Sequence, residues 1–331
     1  MTTDTPPHNT NQLWNPNRNR SKRIQFIVKS IFAVFAFISV VTTIGIVLTL
    51  LFETIEFFQF PEVNLWRFFT DGRWTPKFPP PNQDFGVFVL ISATILSAGI
   101  AIIVAVPLGL LSAICLSEYA SPQLRRILKP ALEILAGIPT VVYGYFALLT
   151  VTPFLRWLIN PLLSPLGNVE SLRAWSEIGP FNSLSAGVVL GIMITPMVAS
   201  LSEDAIYSVP RSLRDGSYAL GTTKRETIVS VVLPAALSGI VSSVILAVSR
   251  AIGETMIVTL AAGQNPTLGL NPFVPVMTMT AAIVQASFGD NPADSISSKA
   301  LFAIGMTLLA LTFLLNIFSF WFVRRFREKY D

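Results

Sequence analysis

One cysteine, one histidine and very few charges mark this chain of 331 residues; Asp, Glu, Lys and Arg together make up only 13%. A soluble domain carries about 25%. Each scarcity removes a class of chemistry. The single Cys115 lies in an apolar run, so no intrachain disulfide can form. The single His8 sits in a Pro- and Asn-rich stretch near the N-terminus. Histidine triads, Cys/His zinc sites and HExxH motifs therefore lack their residues. No GxxxxGK[ST] sequence occurs, nor any Gly-Lys pair, which excludes nucleotide binding by a phosphate loop. What is plentiful is apolar: 52% of the chain is hydrophobic, including 24 Phe. The net charge of +4 comes from residues that flank apolar runs, so it is no sign of nucleic-acid binding.

A helix needs about 20 apolar residues to cross the hydrocarbon of a bilayer. Six charge-free runs reach that length: 30–52, 85–117, 134–155, 181–202, 227–249 and 300–323. The expected fold is an all-α polytopic membrane protein with six transmembrane helices. An even number puts both termini on one side. With the termini inside, the inner segments hold 16 of the 23 Lys and Arg, the outer segments 6, and Arg250 is left over. The positive-inside rule then makes both termini cytoplasmic. The chain divides into a disordered tail (1–23), a first span (24–52), a periplasmic segment (53–84), a core (85–323) with a cytoplasmic loop (203–234), and a short cytoplasmic tail (324–331). The first span exceeds the apolar stretch of a signal peptide, about 7–15 residues, and no small-residue cleavage site follows it; it reads as a retained signal anchor. Trp66 and Trp74 in the outer segment suit a membrane interface. No internal repeat is evident.

Three stretches could carry function. In "SRAIGETM" (249–256), Arg250 and Glu254 are four residues apart and would share a helix face near the middle of the fifth span. A charge at bilayer centre costs at least about 2.5–3.5 kcal/mol. The pair either neutralises itself within the helix or places Arg250 on a polar path, where a guanidinium suits an oxyanion. An Arg N-terminal to its acid is the weaker orientation, which favours the path. In "GIPTVVYGYF" (137–146), Pro139, Gly137 and Gly144 loosen the third span. That opening either serves packing or lines a path; Thr140 and Tyr143 are its candidates for the latter. In "EDAIYSVPRSLRDGSYALGTTKRETIVSVVLP" (203–234), Pro210 and Arg211-Ser212 suggest a helix start, and Gly221 a stop. Leu213, Tyr218 and Leu220 form an apolar set, and a second helix begins near Thr222 or Thr223. The result is an interfacial amphipathic helix or a knob that docks in a partner's groove.

The third stretch resembles the cytoplasmic motif of permeases of importing ATP-binding-cassette (ABC) transporters: EAA, three residues, Gly, nine residues, then an Ile-x-Leu-Pro ending. Asp215-Gly216-Ser217 stands at EAA, Gly221 at the Gly, and Val231-Val232-Leu233-Pro234 at the ending. The acid is kept, and Gly and Ser replace the two Ala. "GIPTVVYG", "EDAIYSVP", "YALGTTKRETI" and "SRAIGETM" together resemble phosphate permeases of the PstC type, over about residues 85–323. The resemblance implies the type I, MetI-like permease fold in a bacterial inner membrane. It implies a non-enzymatic subunit that binds no cofactor itself, the ATP being used by two PstB-type ATPase subunits. A PstA-type permease and a periplasmic phosphate-binding protein complete the implied assembly, with the lipid bilayer around it and no nucleic acid. Arg250 and Glu254 match charged positions of the family's "RA-GET" segment, tied to phosphate passage. Leu213, Arg214, Asp215, Gly216, Tyr218, Ala219, Leu220 and Gly221 would form the ATPase coupling element. Alternatives are a permease for molybdate or sulfate, the PstA-type sister, an ion-coupled secondary transporter, and a structural or sensory membrane protein.

Overall fold

The computed structural model describes residues 18–76, 78, 82–169, 175–289, 292 and 295–326. Among these the regular structure is helical, apart from one isolated antiparallel bridge between Trp74 and Phe85. Six helices are long and apolar enough to cross a membrane: Lys22–Gln59, Phe88–Tyr119, Thr140–Leu163, Ser183–Tyr207, Lys224–Ile252 and Ile296–Phe322. The chain is a multi-pass membrane protein of the expected six spans. It divides into two compact units, Met1–Phe52 and Glu53–Asp331.

The first unit holds most of α1 (Arg18–Gln59). Its apolar side chains, Phe26, Phe32 and Phe37 among them, are exposed. Its polar ones bond inward: the hydroxyls of Thr42, Thr43 and Thr49 each donate to the carbonyl four residues earlier. Lipid offers such groups no other partner. The helix begins at Arg18, so residues 18–23, expected in the disordered tail, are helical; residues 1–17 lie outside the described residues. At the other end α13 (Ile296–Phe326) runs into the expected tail, whose residues 327–331 also lie outside.

In the second unit, α3 (Phe88–Ile114) and α7 (Ser183–Tyr207) pack back to back. Gly187 and Gly191, spaced as GxxxG on α7, make the close approach possible. A Cβ on Gly187 would stand 2.7 Å from Ile100, and one on Gly191 2.7 Å from the carbonyl of Ala101. Small residues are how membrane helices come near enough for dispersion to hold them. Ala98, Ala101 and Ala105 of α3 are buried in the same core.

α10 (Leu233–Ile252) and α11 (Met256–Ala261) run antiparallel along α7. Two bonds fix their register: Ser243 Oγ to Ser202 Oγ at 2.7 Å, and the Asn182 amide to the Ala261 carbonyl at 3.1 Å. α12 (Met279–Ser287) packs on α3 and α13.

Between the second and third spans the structure holds an element that charge counting passes over. α4 (Pro122–Ala136) starts at Ser121, whose hydroxyl accepts the Leu124 amide, and leans on α7. The third span starts later than expected. The chain breaks at Gly137–Pro139 and resumes as α5 (Thr140–Phe146), a π turn (Ala147–Val151) and α6 (Thr152–Leu163). In the segment expected outside, α2 (Leu65–Thr70) is capped by the Asn64 carboxamide. Trp66 is exposed there as an interfacial residue would be. Trp74 is not: it is buried edge-on against Phe85 in an aromatic cluster with Phe57 and Phe68, where its ring gains more from contact than from an interface.

Candidate functional site: a glycine turn and a helix break

The 203–234 stretch folds as a helix, a glycine turn and a return. α8 (Arg211–Ala219) follows Pro210 and ends at Leu220, and Gly221 has φ +82. That left-handed conformation costs a side-chain-bearing residue about 1–2 kcal/mol. Thr223 and Glu226 form a reciprocal capping box that starts α9 (Lys224–Thr227), satisfying amides a helix start leaves open. A π turn (Ile228–Val232) then leads into α10. Inside the turn, Ser217, Thr222 and Thr227 make a triangle of hydroxyls with sides of 2.7, 3.0 and 2.9 Å. The turn is thus locked from within while its tip stays free: Leu220 is 86% exposed, Tyr218 41%, and Asp215, Gly216 and Ala219 are exposed too.

Two residues of the expected contact surface face the other way. Leu213 packs inward on Ile206, Val209 and Val232, so the exposed apolar set is Tyr218 and Leu220 without it. Arg214 is an internal strut. Its Nη2 donates to Glu118 Oε1 at 2.8 Å and to the Ile206 carbonyl at 2.9 Å, and Nη1 reaches the Val209 carbonyl. Glu118 sits in the π turn that ends the second span (Cys115–Tyr119). One guanidinium therefore ties α8 to the ends of both central helices, a use its fixed fork of donors suits. Lys224, 4.5 Å over the Tyr119 ring, adds a second tie.

Arg250 and Glu254 do not share a helix. α10 ends at Ile252, with Gly253 as its cap, and α11 begins at Met256. The register with α7 sets this break alongside the first half of that span, so it lies at membrane depth. Each charge suits the helix end it occupies. Arg250 lies in the last turn of α10, where the macrodipole favours a cation. Glu254 Oε1 accepts the amides of Met256 and Ile257 at 3.1 and 3.4 Å, and its carbonyl accepts the Thr280 hydroxyl at 2.8 Å. Glu254 is buried, Arg250 is exposed, and no ion pair joins them among the described residues. The intrahelical pair that i, i+4 spacing suggests is replaced by a capping carboxylate and a free guanidinium.

The break is where the second expected stretch arrives. α5 lies against α11, and a Cβ on Gly144 would stand 2.7 Å from Leu260 and 3.2 Å from the Met256 carbonyl. Tyr143 packs on the core around Ile257 and donates its hydroxyl to the Leu135 carbonyl at 3.1 Å, across the Gly137–Pro139 break. Thr140, half-buried, opens α5. Two interrupted helices therefore meet side by side in the unit's core.

A buried charge cluster went unread in the sequence. Glu203, expected just beyond the fourth span, is fully buried within α7. It is paired with Arg125 and, at 2.9 Å, with Lys129 of α4; Lys129 also holds Asp204. Arg125 stacks 3.7 Å over the Tyr207 ring. Burial alone would lower the pKa of Lys129, but hydrogen bonds to Asp204 and Glu203 outweigh it and hold the ammonium above its ordinary 10.5. The docking of α4 through Lys129 is therefore fully present at neutral pH and is lost only as pH rises past that raised value. The available signal was "LRRILK" (124–129) set against "EDAIY" (203–207).

Comparison with known proteins places this geometry. The chain is 33% identical over 282 residues to "Probable ABC transporter permease protein YqgH" of Bacillus subtilis, covering 84% of each. It is 35% identical over 253 residues to "Phosphate transport system permease protein PstC" of Mesorhizobium japonicum, covering 76% of each. With the protein of that name from Haemophilus influenzae it shares 32% over 312 residues, 93% of each. A solved chain described as an inward-facing conformation of the MetNI methionine ABC transporter overlays with TM-score 0.49 at 18% identity, over 73% of this chain and 95% of that one. Residues 105–328, which contain the glycine turn at Gly221, the helix break and the GIPT opening, match the family described as "Binding-protein-dependent transport system inner membrane component", and the chain belongs to that family.

Proposed function

We propose that this chain is the permease subunit of an ATP-driven importer of inorganic phosphate. One observation carries the substrate: the likeness, over three quarters of the chain or more, to permeases whose names specify phosphate transport. The geometry supports the mode of action. The chain sits with both termini in the cytoplasm, so the coupling turn also faces inward. It has no nucleotide site of its own, and ATP is used by two PstB-type ATPase subunits. A PstA-type permease is its partner in the membrane, and a phosphate-binding protein delivers from outside. Tyr218, Ala219 and Leu220 dock in a groove of one ATPase, with Asp215, Gly216 and Gly221 shaping the contact.

Motion of the ATPase passes through Arg214 to the ends of α3 and α7, which swing together because Gly187 and Gly191 bind them tightly. The interrupted helices at Gly253–Thr255 and Gly137–Pro139 are the places where backbone can rearrange at membrane depth. Arg250 offers charge to the passing anion weakly enough to release it, and Glu254 keeps the break's geometry.

Co-purification and reconstitution test this. The tagged chain should bring with it an ATPase and a second permease, and vesicles of the complex should take up labelled phosphate only with ATP and the binding protein. Molybdate or sulfate should compete poorly. Uptake driven by an ion gradient without ATP would overturn the proposal, and preferred molybdate or sulfate would overturn the substrate.

A further inference from the structure

At the end of the bundle that carries the coupling turn is a cavity of about 520 Å³, within the size range of small-molecule sites. Its wall is built from the π turn after α3, from α4, from Tyr207 at the end of α7 and from Arg211 at the start of α8. None of these residues belongs to the helix break. The cations on the wall fall into two kinds. Arg125 and Lys129 are neutralised by Glu203 and Asp204. Arg126 and Arg211 are exposed and have no acidic partner among the described residues. Ser117 also lines the cavity, and its hydroxyl is buried without a hydrogen-bond partner. A buried hydroxyl left unpaired is unfavourable, so a ligand that satisfies it gains affinity. Leu116, Pro122 and Pro130 make the rest of the wall apolar, and Glu133 adds one carboxylate.

Two unpaired guanidiniums, a waiting hydroxyl and one acid select a particular anion. The forked donors of Arg fit phosphate oxygens. Glu133 accepts only and repels a bare anion; it is satisfied by an anion that also carries a donor. A phosphate bearing a proton has one, and so does the glycerol hydroxyl of an anionic phospholipid. Sulfate, unprotonated near neutral pH, has none. We propose that this cavity binds a phosphate group that also offers a hydroxyl, held by Arg126, Arg211 and Ser117 Oγ and turned towards Glu133. The group comes either as the headgroup of an anionic lipid or as free inorganic phosphate. Because the wall joins α4 to Arg211, occupancy clamps the root of the coupling turn to α4.

The test uses the full chain in phosphatidylcholine nanodiscs. One arm dopes the discs with phosphatidylglycerol and counts, by native mass spectrometry, the molecules retained after detergent extraction. The other measures binding of radiolabelled inorganic phosphate, with sulfate as competitor. Arg126→Gln/Arg211→Gln should lower retention or binding about tenfold or more, the loss of about 1.4 kcal/mol. Arg156→Gln, an exposed arginine of α6 away from this cavity, should leave it unchanged. Loss in the lipid arm assigns a headgroup, and loss in the phosphate arm assigns free phosphate. Glu133→Gln, which leaves the cation cluster intact, should let sulfate compete in the phosphate arm, or let phosphatidylglycerol be displaced by sulfate in the lipid arm. The proposal is overturned if wild type holds neither probe, if the double variant holds both like wild type, or if Arg156→Gln lowers binding as much.

Discussion

Arg250 and Glu254 show what a spacing rule can and cannot say. Both residues were legible as candidates because charges are rare in apolar runs. Their relation was not, because Gly253 ends α10 and turns the following residue out of register. Glu254 then caps α11 instead of pairing with Arg250. The two should separate on substitution. Glu254→Gln keeps an oxygen that can accept the Met256 amide and loses only the charge at a helix start, about 1 kcal/mol. It should insert and retain most of its phosphate uptake. Arg250→Gln removes the free guanidinium, and uptake in reconstituted vesicles should fall at least tenfold with insertion unchanged. Equal loss in both variants would show that the acid matters to the substrate beyond its capping bond.

At the scale of elements, the turn around Gly221 was the most readable part of the chain. Gly221, the start near Thr223 and the return at Pro234 all follow from local chemistry. The direction each side chain takes does not. Leu213 and Arg214 read as surface residues of a polar segment, and only the placement of Glu118, nearly a hundred residues away, makes Arg214 a strut. α4 was hidden for a related reason: two of its three cations, Arg125 and Lys129, are matched by acids on α7, so the sequence shows as free two charges that the fold pairs. The turn also allows backbone and surface effects to be told apart. A Cβ at Gly221 meets open space, yet φ is +82; Asn and Asp tolerate that region better than most residues. Gly221→Asn should leave ATPase association near wild type. Gly221→Asp, which adds a charge beside Leu220, should weaken it about tenfold in pull-downs of the purified complex. If both variants lose the ATPase equally, the backbone rather than the surface is what the partner reads.

For the whole molecule, six spans and their order followed from hydropathy, because lipid punishes charge over every run of about 20 residues. Span ends were set by other forces. α1 extends in both directions from its apolar run, and the third span begins only after Pro139, because α4 uses residues 134–136 for itself. The orientation is open to direct measurement. Cys115 is the only cysteine, so a Cys115→Ser background is clean. In it, Leu220→Cys should react with a membrane-impermeant maleimide only in inverted vesicles, and Asn64→Cys only in intact cells. The reverse pattern would place the coupling turn outside and rule out a cytoplasmic ATPase.

The π turn at Ile228–Val232 has a further consequence for how such a machine is aimed. A π turn holds one residue more than the α-helical path through the same place, and one residue of α-helix is about 100° of rotation and 1.5 Å of rise. Val229 and Ser230 are exposed within it. Deleting Ser230 would let α9 and α10 run on as one regular helix. The hydroxyl triangle and Gly221 would survive, but the knob would swing around the helix axis by about a quarter turn. The azimuth at which an outside push enters the bundle is thus held by a single surplus residue, and its compass bearing can change while every contact inside the turn stays as it is.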